Sequence, residues 1–344
     1  MTEDFVSAVL GLLIVAAVYL DGRAHVLGLP DSFFTPWHAL LYGSLATLIG
    51  WLAVICRRAA VRRSGDRLAV VPAGYARALI GAAVFAAGGA ADMIWHQIFG
   101  VEFGIDALMS PTHLALFSGG ALLLSGPVRA HRLRGAPSSL LVRLPSIMAV
   151  TGMTAIAAFA LIFLSGFLAD ESTHTVGHFP EGSAEHIAAE SIASAGLASY
   201  VLTSLVVVVP LTYLIRADLA GPGTVLFLVS SLATLALVLA NFPNALIAVI
   251  AVLAGALGDL ILLGLRHFGA DARIQELVLA ALLPALLWSG QLLAVGAAEP
   301  IRWSVEMVSG VVTLSAAASF TAVFAFRRVY ANAVPELGSA RQYR

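Results

Sequence analysis

The sequence predicts an all-α protein, a polytopic bundle of about ten transmembrane helices with both termini on the cytoplasmic side. Three observations lead to this fold class. Hydrophobic residues fill 60% of 344 positions and charged residues only 11%, about half the charge a soluble domain uses to cover its surface. The mean hydropathy is +0.93, and apolar runs recur that match the roughly 20 residues a helix needs to cross a hydrocarbon core. The arginines, finally, fall in alternate connections.

The expected spans cover approximately 5–21, 38–56, 77–96, 112–128, 146–168, 187–215, 224–240, 244–265, 277–297 and 303–326. The first is a retained span, because Phe5 to Leu20 has neither a basic leader nor a small-residue cleavage site. The 224–265 region is divided at Asn241-Phe-Pro-Asn244, since 42 residues are too many for one crossing and Pro and Asn break helices. Arg57, Arg58, Arg62, Arg63, Arg67, Arg77, Arg129, Arg132, Arg134, Arg143, Arg216, Arg266, Arg273, Arg327, Arg328, Arg341 and Arg344 then share one side, and Arg23 and Arg302 lie on the other. With 17 of 19 arginines on one side, the positive-inside rule makes that side cytoplasmic. The expected protein is one multi-pass domain of the plasma membrane, with the lipid bilayer as its first partner. Residues 1–216 form three hairpins, and 217–344 form a four-helix apolar scaffold with a cytoplasmic tail.

Composition also excludes function classes. A net charge of −1 provides no field for nucleic acid, and the short basic loops fit topology better than nucleic-acid binding. The single cysteine, Cys56, rules out an internal disulfide and argues against a thiolate metal site. No glycine-rich phosphate loop or Gly-x-Ser-x-Gly elbow occurs.

The chemistry lies in a repeat at the outer ends of the first three hairpins. The first reads Asp21-Gly-Arg-Ala-His25, then Thr35-Pro-Trp-His38. The second reads Asp92-Met-Ile-Trp-His96, then Ser110-Pro-Thr-His113. The third reads Asp170-Glu-Ser-Thr-His174, then Ser183-Ala-Glu-His186. The first two copies also begin their returning helices alike, with His38-Ala-Leu-Leu-Tyr-Gly-Ser and His113-Leu-Ala-Leu-Phe-Ser-Gly. Ten Asp and nine His would give about a quarter of one Asp-x3-His pair by chance, and three occur.

Residues four apart share a helix face, so each Asp and its His can point the same way. They end a rising helix, where the dipole favours a cation. Ser or Thr is a good N-cap and Pro suits the first helical position, which puts the second His in the first turn of the returning helix. There the dipole disfavours imidazolium and keeps the ring neutral, as a metal ligand must be. Each hairpin therefore offers one carboxylate and two imidazoles to a shared ion. Each piece has a plainer reading: a lone Asp–His pair is commonly a hydrogen-bonded cap, Ser/Thr-Pro is a good helix start, and Trp37, Trp95 and Trp303 are interfacial anchors. Threefold recurrence favours metal binding over a structural or proton-relaying polar network. Glu102, Asp106, His178 and Glu190 are further candidate ligands from the loops and the third returning helix. An N and O donor set suits copper(II), zinc, iron or manganese.

The first copy, Asp21-x3-His25-x12-His38, resembles a metal site in the C subunit of the particulate methane and ammonia monooxygenases. There an Asp-x3-His-x12-His arrangement near the outer membrane face binds copper. The resemblance covers 18 residues. It implies ligand roles for Asp21, His25 and His38, and it puts copper ahead of iron and zinc. The second and third copies depart from it with spacers of 16 and 11 residues. The chain is also similar to multi-pass bacterial membrane proteins carrying Thr-Pro-Trp-His and Ser-Pro-Thr-His segments, a likeness that brings no function with it.

Two acids lie inside the later spans. Asp259 is expected near the inner end of the eighth, facing the cytoplasm, and Glu306 is expected to pair with Arg302 four residues before it, with a proton path as the alternative. The leading functional expectation is a membrane metalloprotein with transition-metal sites on its outer face. It is either an oxidase or monooxygenase-like enzyme for a small or lipophilic substrate, or a copper-holding protein without turnover. The alternatives are a metal or proton-coupled transporter, which needs a site reachable from both sides, and a membrane zinc hydrolase using Glu102 or Asp106 as general base.

Overall fold

The computed structural model describes residues 2–29, 35–62, 71–100, 104–135, 139–174 and 179–339, the side chains of Arg62 and 328–339 excepted. Every regular element among them is helical and none is a strand. Among the described residues, eight helices are long and apolar enough to cross a membrane, which points to an integral membrane protein. They are α1 (Thr2–Val26), α2 (Pro36–Arg62), α3 (Ala76–Phe99), α7 (Leu140–Ala160), α8 (Ala184–Arg216), α10 (Leu246–His267), α11 (Ala272–Ala298) and α12 (Val305–Ser339).

Two of the ten expected spans form shorter helices. The fourth is divided into α5 (Pro111–Leu124) and α6 (Gly126–Arg134). Pro127 has no N–H to return to the preceding turn, and the Ser125 hydroxyl donates to the Leu122 carbonyl at 2.7 Å. The seventh is α9 (Thr224–Leu239), with 16 residues. It stops before Asn241 and Phe242, whose φ values of 62° and 53° are left-handed, so the break expected at Asn241–Asn244 is present. A five-residue helix, α4 (Ile105–Met109), precedes α5. The fifth span also differs from expectation. After Ala160 the chain continues in three 3-10 turns, Ile162–Leu164, Gly166–Leu168 and Glu171–Thr173. The Gly166 N–H is taken by the Thr203 hydroxyl at 2.7 Å, and its carbonyl accepts from the Gln291 amide. Side chains from α8 and α11 thus replace the missing helical bonds, the condition on which irregular backbone is tolerated inside a membrane protein.

The chain divides into two compact units. The first comprises Met1–Phe163, Asp218–Gly221 and Ser231–Pro243, and the second Leu164–Ala217, Pro222–Ser230 and Asn244–Arg344. In the first, α1, α2 and α3 bury a core that includes Ile14, Leu45, Leu52, Ile55 and Phe85. The α3–α5 crossing is made by glycine. A Cβ on Gly81 would sit on the Leu123 nitrogen, and one on Gly119 would lie 2.6 Å from the Phe85 nitrogen. Small residues let the two backbones touch, which is how helices associate when lipid removes the hydrophobic driving force. At the opposite end of this unit from the repeat, the buried Asp4 carboxylate is held by Arg134 and by the Tyr75 hydroxyl at 3.0 Å.

The second unit packs α8, α10, α11 and α12. Glu276 on α11, only 1% exposed, accepts from Arg216 at 3.0 Å and from Arg327 at 2.7 and 3.1 Å. Asp259 does not face the cytoplasm. It is buried, and its two oxygens accept the Val225 and Leu226 N–H groups at 3.1 and 3.0 Å. It therefore caps the first turn of α9 from a neighbouring helix, where a carboxylate meets the positive end of the dipole. Glu306 is exposed in the first turn of α12 and faces Ser304 rather than Arg302.

Removing one partner of a buried ion pair leaves the other charges uncompensated. Glu276→Ala is expected to lower stability by about 3 kcal/mol, measured by chemical unfolding in detergent. Asp259→Ala is expected to cost about 1 kcal/mol as a lost cap. An unchanged Glu276→Ala midpoint would show that the three-helix clamp contributes nothing.

Candidate metal centre

The local sequence builds the first centre from two helix ends. Asp21 and His25 lie one turn apart near the C-terminal end of α1, and His38 lies in the first turn of α2. The Thr35 hydroxyl sits 3.0 Å from His38 Nδ1, which leaves Nε2 to face Asp21. His38 Nε2 lies 3.3 Å from Asp21 Oδ1, and His25 Nε2 lies 3.7 Å from Asp21 Oδ2. The two imidazole centroids are 6.1 Å apart. One ligand atom from each of the three residues lies within 4.8 Å of the other two, the one such group among the described residues.

The donor set fits a metal. Tetrahedral ligands at metal bonds of about 2.1 Å stand roughly 3.4 Å apart, close to the separations found. Asp21 Oδ1 is buried and has no hydrogen-bond partner. Such an atom costs about 1–3 kcal/mol unless something satisfies it. His25 is the open side, with 38% of its side chain exposed.

The second hairpin is built alike and wired differently. His96 Nε2 lies 3.2 Å from Asp92 Oδ2, and the Ser110 hydroxyl caps α5 by accepting the His113 N–H. The position before the second His is Trp37 in the first copy and Thr112 here. The buried Thr112 hydroxyl donates to Asp92 Oδ1 at 2.6 Å, so this carboxylate oxygen already has a proton donor. His113 turns Nδ1 toward Asp92 at 3.4 Å, and the same nitrogen meets the Ser110 hydroxyl at 2.8 Å. Copy one separates these tasks between Nδ1 and Nε2; copy two places both on Nδ1.

The third copy is the least assembled. Asp170 and His174 flank the Glu171–Thr173 turn rather than riding on a helix. They approach to 3.9 Å with side chains 76% and 50% exposed. His186 sits in the first turn of α8, its N–H accepted by the Ser183 hydroxyl, and among the described residues no contact joins it to Asp170 or His174. Asp106 is exposed on α4, and Glu190 is exposed on α8. Glu102 and His178 lie outside the described residues.

Two groups escaped the motif. Tyr42, one turn after His38, has its ring 6.2 Å from that imidazole and packs over Gly89. The charges of Asp92 and Asp21 both reach its phenol. Its signal was the shared aromatic of the repeat, Tyr42 against Phe117. Trp303, expected as an interfacial anchor, is instead buried against Gly196 and Tyr200.

Thr112→Val removes the hydroxyl that occupies Asp92 Oδ1 and keeps the volume. Bound transition metal per chain, measured by elemental analysis, is expected to rise above the wild-type ratio. Equal ratios would show that Thr112 does not set occupancy of the second copy. Comparison with protein-family models, with curated proteins and with solved structures finds no match, so the functional reading rests on the geometry of Asp21, His25 and His38.

Proposed function

We propose that this chain is a membrane metalloprotein that holds one transition-metal ion, copper in preference to iron or zinc, at Asp21, His25 and His38. The observation that carries the reading is the convergence of three ligand atoms within 4.8 Å about a buried carboxylate oxygen with no other partner. The donors are two imidazoles and one carboxylate, a set that binds borderline metals and leaves coordination positions open. Copper is favoured by the Asp-x3-His-x12-His likeness to the monooxygenase subunit. The open side at His25 suits a site reached by a small molecule, in keeping with an oxidase or monooxygenase-like activity on a small or lipophilic substrate, or with delivery of the ion itself. The hydrolase alternative draws little support, because Asp106 is exposed on α4 and touches none of the three ligands among the described residues. The arginine distribution supports a plasma-membrane bundle with both termini inside and this centre on the extracytoplasmic face.

Protein purified without chelators is expected to contain about one copper per chain when supplied with it, and His38→Ala and Asp21→Ala are expected to lose most of it. Glu181→Ala, at an exposed loop acid, is expected to lose none. Wild-type protein that neither contains nor takes up any transition metal would end the proposal. For sidedness, Glu181→Cys in a Cys56→Ser background is expected to react with an impermeant maleimide in intact cells. Labelling only after lysis would invert the orientation.

A further inference from the structure

The second unit holds a cluster of buried polar atoms that uses none of the repeat's Asp and His ligands, although two of its residues, Glu171 and Ser172, lie between Asp170 and His174 of the third copy. Glu171 Oε2, Ser172 Oγ, Tyr200 OH, Gln291 Oε1 and Trp303 Nε1 are all buried without a hydrogen-bond partner. Ser172, Tyr200 and Gln291 are 0% exposed. The Tyr200 hydroxyl lies close enough to Ser172 and Gln291 for their side chains to bear on it, and within reach of the Glu171 charge. Around it the cluster is fixed from every side. The Ser172 carbonyl accepts the Arg302 N–H at 2.8 Å, which ties the Glu171–Thr173 turn to the segment before α12. The Trp303 indole and the Glu171 Cβ both pack over Gly196, at 2.8 and 2.9 Å from the place a Cβ there would take. Gln291 Nε2 is committed to the Gly166 carbonyl, which leaves Oε1 as the amide atom without a partner. The Tyr200 ring is wedged edge-on against Trp288, with centroids 5.0 Å apart, and Trp288 is itself held by the Ser204 hydroxyl at 2.6 Å.

Each such atom costs about 1–3 kcal/mol if nothing satisfies it, and native structures rarely collect several in one place. Four of the five are oxygens, and one of the four belongs to a carboxylate. We infer that the cluster is a binding site for a small monovalent cation of the sodium type, held by Glu171 Oε2, Ser172 Oγ, Tyr200 OH and Gln291 Oε1. One carboxylate balances one positive charge. Calcium recruits six to eight oxygens, often from several carboxylates, and magnesium keeps several of its waters. Transition metals prefer imidazole or thiolate, and the cluster has neither. Trp303 Nε1 is a donor and faces a water of the ion's shell. The surrounding aromatic rings lower the local dielectric and strengthen the attraction of ion for oxygen. The ion's role is to fasten the Glu171–Thr173 turn to α8 and α11.

The full chain in detergent, washed into choline chloride, is titrated with sodium chloride at constant ionic strength while its unfolding temperature is followed. Sodium is expected to raise that temperature by a few degrees, growing with the logarithm of its concentration as linkage requires. Glu171→Gln is expected to abolish the shift and Tyr200→Phe to reduce it, while His38→Ala leaves it intact, which separates this site from the proposed metal centre. Identical unfolding in sodium and choline would mean that the cluster holds water only and would overturn the inference. So would a full sodium shift in Tyr200→Phe, a variant that keeps the buried ring should Glu171→Gln fail to fold.

Discussion

A carboxylate withdrawn from water must recover its lost hydration from a cation, a metal or a set of N–H groups, or else give up its charge. In a chain with only 20 acids, the structure can be followed through how the buried ones meet that demand. Asp4 is held by Arg134 and Tyr75, Glu276 by Arg216 and Arg327, and Asp259 by two backbone N–H groups. Each of these carboxylates joins separate helices, and each is closed. Asp21 is different. One of its oxygens is buried and accepts no hydrogen bond, while two imidazoles stand around the carboxylate at ion-pair distance. The same rule that explains three structural clamps therefore singles out a functional candidate.

The first two hairpins carry the same Asp/His pattern and hold it differently. Both use a carboxylate and a His one turn apart and a second His placed by a Ser or Thr cap. One difference is the residue before the second His, Trp37 against Thr112. A hydroxyl at this place satisfies the carboxylate from within the protein, and a carboxylate so satisfied has less to offer an ion. An indole leaves it unsatisfied. The charges of both carboxylates reach Tyr42. The third Asp/His pair is looser, because it flanks a 3-10 turn, and the i,i+4 relation holds a pair together only while both residues ride on an α-helix.

Much of this protein could be read from its residues in order. Apolar runs, the Asn241–Asn244 break and the Ser-Pro helix start at Ser110 are local properties: run length against membrane thickness, lost backbone donors and side-chain capping act within a few residues. The Asp21–His25–His38 group was legible for the same reason, since helical periodicity and one cap decide where those three side chains point. What depends on distant chain was not legible. The sequence placed Asp259 at a membrane face, but packing carried it to the start of α9. It made Trp303 a surface anchor, but Gly196 provides a place for the indole to be buried. It continued the fifth span to residue 168, but Thr203 and Gln291 supply hydrogen bonds that let the backbone leave the helix. Glu276 gave no local sign, because its partners lie 60 and 51 residues away. Local periodicity thus determined which helices form and which residues could gather at one end of a hairpin. Only the tertiary structure decided which polar atoms are left without a partner, because satisfaction is a property of neighbours in space.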